Sequence, residues 1–582
     1  MCTQYVHYNS SIESVVRNGE TRFCGGERIP VGLCPSPPPS SSSSVVVPTS
    51  STMTSPQDFV EWDLQSPLEG FGSVAETFDA LMIPKTLAWC CFFDPTTTTA
   101  TSNTLDDASS AVRVTLIDGF NVATMSPPTL MVASDCGIPR TLLTGLSNND
   151  ATTAKTTCLT LSIVTEREKE ALLRFQQLQQ ATGRQSFSLD ELGLEPAVLS
   201  DSNTSNQGTT TTSGTTTTTT TANNKDDDDK EYPPAVSLSP IHMRCEIKSA
   251  QTITNDNDES TTSSPLPMLL LVQINSYLLK GEILTIPPSS TDDNNDRNVH
   301  ALVDANKIRP IASLGRVTST DNSIAQYGTM RHVHALLRPL QKDGLENTME
   351  GWTSDDLVVK EPILSDTTQD DPKDFFYDTS DPDASKKLGY NPTKAIILPR
   401  PIGWISTYPS QQKDNTISHL APYSFFAQLS RDPPLVAFSA YKTENGTRPK
   451  DAQLDAEQTG CFGLNAVTRD LAVPMNFSSA SVGRAGDEFV LSRLTAVPAK
   501  TIPAPMVQES PLHMECTYLQ TVLIGGFAVV IGRVRHVRVA KQVLASTSTS
   551  SGRLQRGLDL KILQPVTRLG YPDEYGVIDS YL

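Results

Sequence analysis

Short apolar segments alternate with polar stretches, most clearly in the second half of the chain. Five segments combine β-branched or aromatic residues with Pro, Gly or Asn at their ends: 395–398, 403–407, 435–439, 461–467 and 521–539. This pattern is typical of β-strands, and many short strands with few helices predict a closed or nearly closed barrel. Helical periodicity is clear only at 166–180 and at 452–459. The predicted fold class is therefore mainly β.

Polar, low-complexity stretches interrupt this pattern. Runs of Ser, Thr, Pro and Asp cannot bury enough apolar surface to offset the entropy of ordering, so we expect them to be disordered. They predict a tail at 1–56, insertions at about 200–231, 252–265 and 288–298, and a linker at 331–373.

A seven-residue motif occurs twice in the chain. Residues 239–245 read Ser-Pro-Ile-His-Met-Arg-Cys and residues 510–516 read Ser-Pro-Leu-His-Met-Glu-Cys, with five identities. Four further pairs of similar segments keep their order in both halves: 83–89 with 398–404, 127–130 with 433–435, 158–165 with 461–468, and 309–315 with 564–570. Independent coincidences would not keep that order. We therefore predict two tandem copies of one fold, at 57–330 and 374–582.

The charge balance limits the partners. With 46 Lys and Arg against 65 Asp and Glu, the formal net charge of −19 argues against nucleic acid or an anionic membrane as a partner. A phosphate site would have to be a small local basic pocket. Because the sequence has no apolar run of about 18 residues, no leader and no C-x-x-C pair, we expect a cytoplasmic protein with reduced thiols and no metal site.

Seven segments of the second half stand out as motifs: 399–407 (Pro-Arg-Pro-Ile-Gly-Trp-Ile-Ser-Thr), 419–426 (His-Leu-Ala-Pro-Tyr-Ser-Phe-Phe), 432–434, 448–451 (Arg-Pro-Lys-Asp), the strand through Asn465, 509–511 and 565–570. In these segments the second half resembles the flavin reductase-like family, which folds as an FMN-binding split β-barrel and includes flavoredoxin-like proteins and the reductase components of two-component monooxygenases. The segments follow the order of the family over nearly 200 residues. The resemblance implies one such barrel at 374–582 and a degenerate copy at 57–330.

A flavin mononucleotide needs a phosphate clamp, a flat apolar slot and hydrogen bonds to its polar edge. The hydroxyls of Ser406 and Thr407 and the charges of the 448–451 loop suit the phosphate. The segment 419–426 suits the ring, with backbone N–H groups and Ser424 along its edge. The predicted cofactor-binding residues are Ser406, Thr407, His419, Ala421, Pro422, Tyr423, Ser424, Phe425, Phe426, Arg448, Lys450 and Asp451.

Each group also has a simpler interpretation. The aromatic side chains, with Trp404, could be plain barrel core, and Arg448 with Lys450 could form a solvated loop. His513 and its repeat His242 are interpreted as structural.

The sequence departs from the family pattern in both copies. His419 stands where the family has Asn, and Ala452 stands where it has Thr, so we expect FMN binding to be weaker than is typical. In the first copy, Asp118 takes the place of Ser424 and Cys90-Cys91 the place of 405–406. Although 140–141 (Arg-Thr) still offers phosphate ligands, we expect the first copy to have lost its flavin.

The function implied by the resemblance is FMN-dependent oxidoreduction, from NADH or NADPH through bound FMN to an unidentified acceptor. No side chain is predicted to act as an acid or base, because the cofactor carries the chemistry. Since family members commonly dimerise around FMN, we expect the two copies to form an intramolecular pseudo-dimer, with further homo-oligomerisation left open. Two alternatives stay open: a flavin-binding carrier or sensor without turnover, and a structural protein whose barrels have both lost flavin.

Overall fold

The computed structural model describes residues 59–582 with gaps. The larger gaps are 95–111, 144–156, 198–231, 254–265, 286–301, 337–356 and 360–372, and shorter ones include 139–141, 382–387, 411–416, 443–447, 549–553 and 571–573. The predicted tail at 1–56 lies outside the described residues, as do most of the predicted insertions and much of the predicted linker.

The strands of the first half are β1 (Phe59–Trp62), β2 (Leu87–Phe93), β3 (Val112–Asp118), β4 (Asn121–Met125), β5 (Pro128–Ala133), β6 (Thr157–Ile163), β7 (Pro196–Ala197), β8 (Ala235–Val236), β9 (Ile241–Thr252), β10 (Met268–Leu279), β11 (Leu284–Thr285), β12 (Leu302–Val303), β13 (Ile311–Ser319), β14 (Asn322–Leu336) and β15 (Leu357–Val359). Part of the range predicted as linker, 331–373, is thus strand.

The strands of the second half are β16 (Phe375–Asp378), β17 (Arg400–Pro401), β18 (Gly403–Thr407), β19 (His419–Tyr423), β20 (Phe426–Ser430), β21 (Leu435–Tyr441), β22 (Cys461–Asn465), β23 (Ala496–Pro498), β24 (Pro505–Val507), β25 (Leu512–Ile524), β26 (Phe527–Ala540), β27 (Leu544–Ser548), β28 (Leu554–Leu558), β29 (Val566–Arg568) and β30 (Glu574–Tyr581).

Short helices connect the strands: α1 (Val74–Leu81), α2 (Lys169–Thr182), α3 (Leu189–Leu192), α4 (Ala305–Ile308), α5 (Thr393–Ile396), α6 (Asp451–Thr459), α7 (Ala472–Phe477), α8 (Glu488–Leu491) and α9 (Leu560–Leu563). Helix α2 begins after a 3-10 turn at Glu166–Glu168, and α2 and α6 end at glycines with positive φ, Gly183 and Gly460. Both predicted helices are confirmed. Within the described residues, no helix has the length and apolar character needed to cross a membrane.

One strand prediction was wrong, and a second predicted segment contains a turn. Residues 395–398 were predicted as strand, but helix α5 covers the start of this segment, because the side chain of Asn391 accepts from the N–H of Thr393 and opens a helical turn. A short apolar run does not distinguish helix from strand by its period. Residues 521–539 have the predicted strand character, but the chain turns at Gly525-Gly526, so this segment contributes to two strands, β25 and β26, which form a hairpin.

The two halves build the same large antiparallel sheet. Its order is β3-β2-β6-β9-β10-β5-β4 in the first half and β19-β18-β22-β25-β26-β21-β20 in the second, so the strands correspond one to one. The register agrees as well: Trp89 lies opposite Ser162 in the first sheet, and Trp404 lies opposite Asn465 in the second. The prediction of two tandem split-barrel copies is confirmed.

The copies exchange their first strands. Strand β1 of the first copy pairs with β26 of the second, and β16 of the second copy pairs with β10 of the first. A further sheet, in the order β13-β14-β30-β29-β17, takes strands from both copies. Between the two large sheets lies a shared hydrophobic core, which includes Ala123 and Met131 from one copy and Ala427 and Ile531 from the other. The chain therefore forms a pseudo-dimer within itself.

Candidate functional site

A positively charged corner lies at the start of helix α6. Lys450 is the N-cap residue, and it has no side-chain cap hydrogen bond because lysine offers no acceptor. Its half-buried ammonium makes no hydrogen bond or ion pair with any residue that the structure describes, and burial lowers its pKa. An uncapped helix N-terminus presents backbone N–H groups and a positive dipole end. Together these groups suit an anion.

Two arginines converge on the same corner. Atom Nη2 of Arg448 lies 3.7 Å from Oδ1 of Asp451, in the first turn of α6. Atom Nη1 of Arg484, from the loop after α7, lies 3.2 Å from the same oxygen. Both guanidinium groups are partly exposed, 43% for Arg448 and 27% for Arg484. One carboxylate is thus shared by two cations at the protein surface.

Beneath this corner lies a fully buried carboxylate, Asp455, one helical turn beyond Asp451. Its Oδ2 accepts from the hydroxyl of Thr407 at 2.9 Å and from Nδ1 of His419 at 2.7 Å. Its Oδ1 accepts from Nη2 of Arg484 at 2.5 Å. Since three donors from three separate segments meet on one carboxylate, Asp455 fixes the positions of all three.

Both ring nitrogens of His419 face acceptors. Nδ1 faces Asp455, and Nε2 lies 3.1 Å from the backbone carbonyl of Arg484, so only the imidazolium can donate to both. Burial alone would lower the pKa of His419, but the hydrogen bond to Asp455 and the nearby carboxylates of Asp455 and Glu488 raise it above its usual value. Burial also raises the pKa of Glu488 to about 7, and its Oε2 accepts from the N–H of Leu420.

The two hydroxyls predicted for the phosphate clamp point into the protein. Oγ of Ser406 donates to the carbonyl of Pro505 at 2.5 Å and accepts from the amide of Asn465 at 3.1 Å. The hydroxyl of Thr407 donates a hydrogen bond to Asp455. Neither side chain is more than 1% exposed. We therefore narrow the candidate phosphate clamp to the 448–451 loop, the start of α6 and Arg484.

The ring-binding segment is largely core. Tyr423 packs against Phe438 with ring centroids 4.7 Å apart, and Phe425 packs 6.4 Å from Phe527 across a tilted contact. The buried residues of this segment are His419, Leu420, Pro422, Tyr423, Ser424, Phe425 and Phe426, whereas Ala421 is partly exposed. Trp404 is fully buried and donates to Ser478. These aromatic side chains are therefore part of the barrel core, which is the simpler interpretation of them. Of this segment, Ala421 and the backbone are left to face the edge of a flavin ring.

The two repeated histidines are buried and neutral. Burial lowers the pKa of His513 to about 4 and that of His242 to about 3. His513 contacts the carbonyl of Val507 at 2.7 Å, and His242 contacts Oγ of Ser162 at 3.0 Å. These contacts agree with the structural interpretation.

The first copy carries an ion-pair cluster at the equivalent of Ser424. Trp89 lies opposite Leu116 and Trp404 opposite Pro422, so Asp118, two residues on, corresponds to Ser424. Asp118 accepts from Nη2 of Arg431, which comes from the second copy, at 2.8 Å.

Further groups complete this cluster. The Nε of Arg431 also donates to the fully buried Asp79 at 2.8 Å, and Lys85 pairs with Asp79 and Asp118. The guanidinium of Arg431 also lies 3.8 Å from Asp135. Three carboxylates against two cations leave one excess negative charge. The remaining predicted phosphate ligands of the first copy, 140–141, lie outside the described residues.

Sequence reasoning missed Asp455, Arg484 and Glu488. The spacing of Asp451 and Asp455, four residues apart, places both carboxylates on one face of a predicted helix, and this signal was available. Arg484 and Glu488 follow α7 in a region without a clear pattern, so nothing local connects them with the site.

Comparison with known proteins gives one family. The family model for the flavin reductase like domain matches residues 396–553. An uncharacterized protein from Deinococcus radiodurans is 35% identical over 145 residues, which are 25% of this chain and 63% of that protein, so the match spans less than two thirds of that protein's length. Another uncharacterized protein, from Halalkalibacterium halodurans, is 30% identical over 198 residues, which are 33% of this chain and 88% of that protein.

Solved structures match a similar share of this chain. Nitrilotriacetate monooxygenase component B from Bacillus cereus is 24% identical with a TM-score of 0.28, over 32% of this chain and 88% of that one. Flavoredoxin of Desulfovibrio vulgaris is 19% identical with a TM-score of 0.27, over 32% of this chain and 90% of that one. From the family model and the Halalkalibacterium halodurans relative, which is matched over most of its length, we conclude that this chain belongs to the flavin reductase-like family.

Proposed function

We propose that the second copy binds FMN and serves as an FMN-dependent oxidoreductase. The observation that carries this proposal is the half-buried ammonium of Lys450, which has no partner among the residues that the structure describes, at the uncapped start of α6 beside Arg448 and Arg484. In a chain with a formal net charge of −19, a group of cations around a helix N-terminus favours a phosphate. The family to which the chain belongs is described as flavin reductase-like, and flavin is therefore the cofactor that we consider.

The residues fit the two ends of the cofactor differently. Lys450, the first N–H groups of α6 and Arg448 would hold the phosphate. The partly exposed strand edge at Ala421 and the backbone up to Ser424 would face the ring. Thr407 contributes indirectly, since its hydroxyl holds Asp455 in place.

When bound, the flavin supplies the redox chemistry, which we propose runs from NADH or NADPH to an acceptor. The protein would bind and orient the cofactor, and the pseudo-dimer would shield it. No side chain of the corner is required as an acid or base for this role.

The test uses the full chain. Purified protein is loaded with excess FMN, freed of unbound cofactor, and examined by absorption between 300 and 550 nm, roughly the range in which a flavin absorbs. It is then titrated anaerobically with NADH and with NADPH. Bound flavin that bleaches with either nicotinamide supports the proposal. Bound flavin that does not bleach would identify a carrier or sensor instead, and protein that takes up no FMN would overturn flavin binding.

A further inference from the structure

Arg484 connects the surface corner with the buried carboxylate below it. Its Nη1 reaches Asp451 at 3.2 Å, and its Nη2 reaches Asp455 at 2.5 Å. We propose that Arg484 is a specificity-determining residue, which makes the site select phosphorylated flavin over riboflavin, and that Asp455 and His419 are its positioning residues. This inference rests on the proposed function, since it concerns the same site.

The charges around Arg484 do not cancel. The imidazolium of His419 balances the buried carboxylate of Asp455, with which it shares a hydrogen bond of 2.7 Å. Asp451 is the remaining carboxylate at the surface, and Arg448 and Arg484 share its Oδ1. With Lys450 unpaired among the described residues, three cations face one carboxylate. Glu488, whose pKa is raised to about 7, also faces His419 and is partly ionised at neutral pH, so the described groups of the corner have an excess of about one to two positive charges. This excess is comparable with the charge of a monoester phosphate, which is about −1.5 to −2 at neutral pH.

Riboflavin has the same ring and ribityl chain but no phosphate. An excess of positive charge contributes nothing to its binding and stays unpaired in its complex. The charges of this corner therefore separate the two ligands, whereas contacts with the ring do not.

The position of Arg484 is fixed in advance of binding. A surface arginine normally loses side-chain entropy when it orders on a ligand. Here Asp455 already holds one end of the guanidinium, and Asp455 is itself held by Thr407 and His419 from two strands. A preorganised guanidinium loses less side-chain entropy when it forms charge-assisted hydrogen bonds to a ligand. Arg484 therefore contributes more to the selection of a phosphate than an unrestrained lysine would.

The experiment compares two ligands in four proteins. Binding of FMN and of riboflavin to the flavin-free full chain is measured by titration calorimetry for the wild type, Arg484→Gln, Arg484→Lys and Arg174→Gln. The last variant removes the same charge from an exposed position on α2 of the first copy and is the matched control. We expect Arg484→Gln to weaken FMN binding by about 10-fold to 100-fold and riboflavin binding by less than about 3-fold.

Two further results sharpen the test. We expect Arg484→Lys to keep part of the preference for FMN, because it keeps the charge but cannot bridge Asp451 and Asp455. If Arg484→Gln does not fold, as judged by thermal melting, the lysine variant decides: a preference for FMN lowered by at least about 3-fold supports the inference.

Three outcomes would overturn it. If Arg484→Gln, or Arg484→Lys where the glutamine variant does not fold, weakens both ligands by the same factor, Arg484 is only structural. If FMN binding stays at the wild-type level, the residue has no role in selection. In both cases wild-type protein that binds FMN leaves the proposed function intact, whereas wild-type protein that binds neither flavin overturns the proposed function and this inference with it.

Discussion

The two copies share a scaffold but carry opposite charges at their candidate sites. The order of strands is the same in both large sheets, and the register matches at Trp89 and Trp404. In the second copy the corner at α6 has an excess of positive charge, whereas the cluster around Asp118 in the first copy has an excess of negative charge. The two clusters lie at different places of the shared fold, since Asp118 corresponds to Ser424 and not to the start of α6. A few side chains on the same scaffold thus give each copy a different local charge.

The two clusters also show two different roles of an arginine side chain. Arg431 joins the copies, since its guanidinium reaches Asp79 and Asp118 across the pseudo-dimer interface. Arg484 stays within its own copy and faces the surface. The first arginine pairs with carboxylates of the other copy, one of them fully buried, and the second bridges two carboxylates of its own copy at the proposed phosphate site.

The comparison is tested most directly by counting cofactors. We expect one FMN per chain, because the carboxylates around Asp118 repel a phosphate while the α6 corner attracts one. The full chain is loaded with excess FMN, freed of unbound cofactor and denatured, and the flavin is counted by absorbance. Asp118→Ser should leave the value near one, and a value near two for the wild type would mean that the first copy also binds flavin.

The next largest effect concerns the interface. Arg431→Met removes a partner of Asp79, whose side chain is fully buried, and breaking a buried pair costs about 3–5 kcal/mol of unfolding free energy. Denaturant unfolding measures it. Arg113→Gln, which removes a partly exposed ion pair with Asp94, is the control and should cost less than about 1 kcal/mol. Equal losses in both variants would contradict a buried role for Arg431.

The phosphate clamp gives a somewhat smaller effect. Lys450→Ala, alone or with Arg448→Ala, should weaken FMN binding by about 1.5–3 kcal/mol, the usual range for hydrogen bonds to charged groups. Titration of the flavin-free protein with FMN measures the loss. Lys561→Ala, an exposed lysine on α9, is the control and should bind FMN as the wild type does. A double variant with wild-type affinity would mean that the clamp lies elsewhere.

The smallest effect is a pH dependence of the second copy. The folded pKa of His419 lies above its usual value, so its contribution to stability is present below about pH 6.5 and is lost as the pH rises through the folded value. Glu488, raised to about 7 by burial, acts in the same direction, because its neutral form is favoured in the folded state. The charged groups that face His419 are Asp455 and Glu488, and Arg484 lies beside them.

We therefore expect Glu488 to lower the unfolding free energy as the pH rises to about 7 and His419 to lower it above about pH 6.5, against the increase up to about pH 6.5 that the buried, neutral His242 and His513 contribute. Glu488→Gln should remove the part of the fall that centres on about pH 7 or below, and His419→Asn should remove the part above it. Denaturant unfolding at several pH values measures both. A His419→Asn variant whose curve has the same slope as the wild type above about pH 6.5 would contradict the imidazolium form of His419.

Much of the scaffold was predictable because it depends on local pattern and on repetition. Apolar β-branched segments gave β18, β21 and β22 at nearly the correct bounds, and ordered repeats gave the two copies. The cations at 448 and 450 could be singled out as candidates because basic residues in a short loop stand out in an acidic chain. These signals come from residues that are close together in the sequence or from segments that repeat in order, and both can be recognised in a single sequence.

Only the tertiary structure decided which way the side chains point and which distant groups meet. The hydroxyl of Ser406 turns inward to Pro505, 99 residues away, and Arg431 reaches Asp79 across 352 residues. The exchange of β1 and β16 between copies is of the same kind. Such contacts depend on how the sheets pack and on the charges of the side chains that meet there. A buried charge is stable only where the fold brings it a partner. The sequence by itself thus determined the strands, the duplication and the positions of the loop cations, and the packing of the two copies decided which charged groups meet a partner.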